Sequence, residues 1–107
     1  MEVFITEKRR LQLHEILCQT LDSRNVYFQP PENVRMNYPA IVYSLDDIDP
    51  VYANGGVYLS PIKYSVIVID DDPDTEIVGK VSALPLCRFV RPYVSNNLNH
   101  YVFELYY

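Results

Sequence analysis

The sequence predicts an α+β domain of order α-β-β-β-α-β-β, a mostly antiparallel sheet with two helices packed on one face and a long projecting hairpin. Three observations predict it. An apolar stripe of helical period runs through residues 6–21, two long stretches of alternating residues flank an Asn-Gly pair, and a second helical pattern at 72–84 precedes two further alternating stretches. With 107 residues the chain has the length of one domain, 1–107, and carries no repeat or linker that would divide it.

The first helix spans Thr6–Leu21. Leu13, Ile16, Leu17 and Leu21 follow the i, i+3, i+4, i+8 spacing of one buried face. Thr6 suits the N-cap and Glu7 the positive end of the helix dipole. Leu11 and Cys18 lie to one side of that stripe, where they either widen the core face or touch a neighbouring subunit. Val26-Tyr27-Phe28 is a short strand, and Pro30-Pro31 makes the next segment an extended crossing, because proline fixes φ and removes a donor. The segments 40–53 and 57–69 form a hairpin. Ile41, Tyr43 and Leu45 alternate with Val42 and Ser44, while Ile62, Tyr64, Val66 and Val68 alternate with Lys63, Ser65, Ile67 and Ile69. Asn54-Gly55 supplies the positive φ of a type I′ turn. Pro50 and Pro61 demote the outer half, Asp46–Ser60, from central sheet, so it is expected to project. Asp72-Pro73 starts the second helix as N-cap and N1, with Asp74 and Glu76 in its first turn. Ile77, Val78, Val81 and Leu84 are its buried face, and Pro85 ends it. Cys87–Tyr93 and His100–Tyr107 complete the sheet. Tyr101, Phe103, Leu105 and Tyr107 face one way, and Val102, Glu104 and Tyr106 the other.

Composition narrows the function. Half the residues are hydrophobic (49%), enough for a core. The net charge of -5 repels a phosphate backbone and argues against a generic nucleic-acid binder. No apolar run approaches the ~20 residues of a membrane span, and the start lacks the apolar region of a secretory signal. Ten Tyr and four Phe stand against no Trp. Tyrosine pairs an apolar body with a polar tip, which suits surfaces buried only when a partner arrives.

Catalytic and metal-binding patterns are weak. Cys18 and Cys87 have no zinc-ligand spacing with His14 and His100; they are expected to be buried thiols, with a structural disulfide as the alternative. The acidic run Asp70, Asp71, Asp72, Asp74, Glu76 fails the EF-hand pattern at its sixth position, Thr75, and at its twelfth, Val81. It reads instead as a solvated helix start. Asp46, Asp47 and Asp49 form a second acidic group, which protects an edge, meets a basic partner or, joined with Asp70 and Asp72, builds a two-metal hydrolase site. No Lys or His is placed to activate a water there. Cys18 and His14 have i, i+4 spacing but no orienting third group. Three Gly leave no phosphate-cradling loop. No cofactor is expected. Lys8-Arg9-Arg10 is the solvated start of a helix or a local basic patch. The positive signal is a set of interface candidates: Asp46, Asp47, Asp49, Tyr52, Tyr58 and Leu59 on the hairpin, with Arg88, Arg91 and Tyr106 near the end of the chain.

The stretches Leu11–Cys18, Val26–Val34, Tyr38–Asp49, Asp70–Asp74 and Asn97–Phe103 together resemble the small tail terminator, or tail completion, proteins of long-tailed (siphovirus-like) bacteriophages, over nearly the whole chain and in order. Neck and head–tail connector proteins share similar lengths and a related α+β design. The resemblance implies a non-enzymatic structural virion protein of the tail–neck junction, assembled in the host bacterial cytoplasm. It would form a homohexameric ring on the last ring of the tail tube, stop tube growth and help join tail to head. It implies a hairpin, here Asp46–Ser60, that reaches a neighbouring subunit. The implied partners are further copies of the chain, the tail tube protein, a neck protein and genomic DNA passing through the lumen without specific binding. An acidic inner wall would let that DNA slide.

Overall fold

The computed structural model describes residues 2–47, 50–53, 56–59 and 62–107, with side chains placed for 8–47 and 62–107. It is an α+β fold with a mixed five-stranded sheet and two helices. Helix α1 (Glu2–Leu21) starts one turn earlier than the apolar stripe indicates, so Thr6 lies within the helix and not at its cap. The helix ends where Asp22 takes a left-handed φ of 58° and Ser23 N–H returns to the Cys18 carbonyl.

Strands β1 (Val26–Phe28) and β2 (Ala40–Asp47) run parallel, with Val26 beside Ile41. This pairing makes the sheet mixed, because the crossing at 29–39 carries the chain back before β2 begins. Gln29 extends the contact: its N–H reaches the Tyr43 carbonyl, and its side-chain oxygen accepts from Leu45 N–H at 3.0 Å. Strands β3 (Pro50–Ala53) and β4 (Gly56–Leu59) form a separate antiparallel pair in which Val51 is set against Tyr58 and Tyr52 against Val57. The Asn54-Gly55 turn lies outside the described residues. Strand β5 (Lys63–Asp70) returns antiparallel to β2.

Helix α2 is shorter than its sequence pattern, Ile77–Ser82, and Asp72 does not cap it. The acidic residues before it fold into a chain of turns. Asp70 Oδ1 accepts from Asp72 N–H, Asp72 Oδ1 from Asp74 N–H, and Thr75 Oγ1 from Ile77 N–H. Short polar side chains offer the backbone an alternative to helical bonds, and here that alternative prevails as far as Glu76.

Strands β6 (Cys87–Ser95) and β7 (Leu98–Tyr106) are joined by Asn96 and Asn97, both left-handed at φ of 53° and 61°. The two-residue turn of I′ character therefore occurs here as Asn-Asn, and both strands extend beyond the range expected for them. The sheet order is β1-β2-β5-β7-β6. Strand β6 holds an edge, which accommodates Pro92 and an irregularity between Phe89 and Arg91. Alternate residues of the central strands (Ile41, Tyr43, Tyr64, Val66, Val68, Phe103, Leu105) bury against Leu13, Leu17, Cys18 and Leu21 of α1 and Val81 of α2.

Candidate functional site

The opposite sheet face has no helix among the described residues, and side chains from four strands meet on it. Ser44, Ser65, Glu104 and Arg88 are direct neighbours across β2, β5, β7 and β6; Val42, Ile67, Val102 and Arg91 form the next row. An alternating ion network crosses it. Arg88 donates to Glu104 at 2.7 Å, Lys63 lies 3.5 Å from Glu104, and Lys63 lies 3.4 Å from Asp46. The Arg88 guanidinium holds the Glu104 carboxyl below the usual carboxylate range, and Asp46 raises Lys63. Arg88 and Asp46 thus have partners within the chain. Arg91 lies over the Tyr93 ring at 5.0 Å, and Tyr93 stacks on His100 at 4.5 Å. Asp47 is exposed at the end of β2. Asp49 lies outside the described residues; Tyr52, Tyr58 and Leu59 occupy β3 and β4, and their side chains lie outside the described set.

The chain leaves apolar surface open around β6. Leu86 is 66% exposed, Phe89 44%, Val90 39% and Val94 70%. Behind Leu86 lies a groove of about 280 Å³ between Leu13 and Ile16 of α1, the Leu84–Leu86 connection, and Leu105–Tyr107 at the end of β7. The last two tyrosines divide as alternation requires. Tyr106 is 43% exposed, whereas Tyr107 packs against the core with its hydroxyl donating to Gln12. Sequence reasoning does not find this groove. Its one signal is Leu84-Pro85-Leu86, in which proline stops the helix between two large apolar residues.

The polar groups under α1 are organised for packing. His14 Nδ1 lies 2.8 Å from the Tyr43 hydroxyl, and Arg10 sits 4.5 Å above the Phe28 ring. Burial, then Arg10 and Arg24, push His14 below its ordinary pKa. Cys18 is buried and its thiol is pushed up by desolvation, the reverse of an activated nucleophile. Cys87 is also a free thiol pushed up by burial. Of the acids considered for a hydrolase, Asp70 and Asp72 accept backbone N–H groups and Asp46 holds Lys63. Among the described residues no three His, Cys, Asp or Glu side chains converge as a metal site, and no helix is long and apolar enough to cross a membrane.

Compared with known families and with curated proteins, the chain matches no family model and no curated sequence.

Proposed function

We propose that this chain is a structural, ring-forming protein of a phage tail, a tail terminator that caps the tail tube and helps join it to the head, working by protein contact and not by catalysis. The observation that carries the reading is the β6 edge. A nine-residue edge strand offers free backbone groups, and Leu86, Phe89, Val90 and Val94 are exposed beside or along it. Natural edges left this apolar are normally covered by another chain. The extended resemblance to tail terminators supports the choice of assembly. In this reading the 46–60 segment projects as a hairpin and reaches the next subunit, with Asp46, Asp47, Asp49, Tyr52, Tyr58 and Leu59 as contacts. Arg91 and Tyr106 belong to the same subunit interface, as does Arg88 through its exposed side. A head-to-tail contact of this kind closes into a ring when its rotation permits, here a hexamer.

Light scattering of the purified protein, and electron microscopy after mixing it with tail tubes, test the proposal. Hexameric rings, or caps on tube ends, are expected. A strict monomer that never associates with tubes overturns it. A ring that binds the head portal and ignores the tube would assign the chain to the neck instead.

A further inference from the structure

We infer that Val90 and Pro92 break the β6 edge so that it does not take up a further strand, which keeps other chains, copies of this one included, from adding to the sheet there. The inference concerns the edge itself and holds for the chain alone or within a ring. A partner that covers β6 would then do so with side chains and not by strand addition.

The edge needs such a device. Strand β6 is nine residues long, lies at the end of the five-stranded sheet and exposes Phe89, Val90 and Val94. An edge this long and apolar is a template for pairing with another chain.

The register with β7 shows which backbone groups face outward. Ser95 and Leu98 close the two-residue Asn96-Asn97 turn and so exchange both of their hydrogen bonds. Bonded positions alternate in an antiparallel pair. Tyr93 and Arg91 therefore also bond inward to β7, while Val94 and Pro92 face outward. At the other end Tyr106 N–H donates to the Leu86 carbonyl at 3.0 Å, which sets Leu86 and Arg88 inward and Cys87 and Phe89 outward. The two halves are out of step, because Val90 falls in the register shift between Phe89 and Arg91 and has no opposite residue on β7. Outward positions thus run Cys87, Phe89, Pro92, Val94, with three residues at the join in place of two. A partner strand bonds at every second residue, so it does not follow both halves. The position at which it would resume is proline, which has no N–H to give. Within residues 91–95 only Val94 then offers an outward donor. Arg91, held over the Tyr93 ring at 5.0 Å, sets a charge in the same stretch of the edge.

Pro92→Thr tests this by restoring the donor at an exposed position with a residue that favours strands. The variant should keep the circular dichroism of the native chain and strengthen self-association about tenfold or more, with thioflavin T fluorescence rising as it associates. Val94→Lys added to it should reverse both effects. Folded Pro92→Thr that associates no more than native protein overturns the inference, as does extra association that Val94→Lys leaves in place. Amide hydrogen exchange in the native protein gives a second reading that holds even if Pro92→Thr fails to fold. The Tyr93 and Ser95 amides should be protected, and those of Phe89 and Val94 should exchange freely. Protection of Phe89 and Val94 equal to that of Tyr93 would mean that a strand already adds to this edge, and overturns the inference.

Discussion

His14, Tyr43 and Tyr64 sit at the α1–sheet interface, where burial sets the cost of every polar atom. The Tyr64 hydroxyl is buried and has no hydrogen-bond partner among the described residues. An unpaired buried hydroxyl costs more than a well-packed ring edge. Tyr64→Phe is therefore expected to raise unfolding stability by about 1 kcal/mol, read as a higher urea midpoint with unchanged slope. Tyr43 differs, since its hydroxyl pairs with His14. Its loss in Tyr43→Phe should cost about 1 kcal/mol by the same measurement. His14 also gives the stability a pH dependence. Its folded pKa lies below the ordinary 6.5, so the unfolded chain takes up the proton first. That share of stability is complete above pH 6.5 and is lost as the pH falls through the folded value. Urea titrations at neutral and mildly acid pH should show the loss in the native protein and its absence in His14→Gln.

At the scale of elements, α2 shows how packing rescues a weak local sequence. Its six residues have no side-chain cap and include Gly79, so they are held by Val81, fully buried, and by Ile77, Val78 and Leu84 against the core. Gly79 is exposed, and a Cβ there meets nothing within 4 Å. Gly79→Ala should therefore stabilise by roughly 0.5–1 kcal/mol, through helix propensity and a less flexible unfolded chain, measured as a rise in Tm. The short α2 also shows where sequence patterning stops. Asp72-Pro73 is a good helix start, but the Asx turns of Asp70 and Asp72 satisfy the same backbone donors earlier in the chain. The Asn96-Asn97 turn was legible in principle, because asparagine tolerates the left-handed region.

At the scale of the whole molecule, the open apolar surfaces among the described residues include the β6 edge and the groove behind Leu86, and the ion network around Glu104 is compensated within the chain. The ring proposed above should therefore depend on apolar contact more than on Arg88, whose charge is already met within the chain. Tyr52→Ala combined with Tyr58→Ala is expected to impair ring formation while the monomer keeps its circular dichroism. Loss of the dichroism would make these tyrosines core residues and remove them from the interface.

By itself the sequence determined the α+β class, the core stripe of Leu13, Leu17 and Leu21, and the buried set Ile62, Tyr64, Val66 and Val68. These follow from periodicity, which is local: a residue's neighbours at i+2 or i+4 decide which face it shares. Tertiary structure decided the parallel pairing of β1 with β2, the division of Cys18 into the core and Leu11 to the outside, and the capture of Arg88 by Glu104. It also made the groove, whose walls come from Leu13 and Ile16, residues 84–86 and residues 105–107. Such features join residues far apart in the chain, and no local period records which distant segments the packing of the core brings side by side.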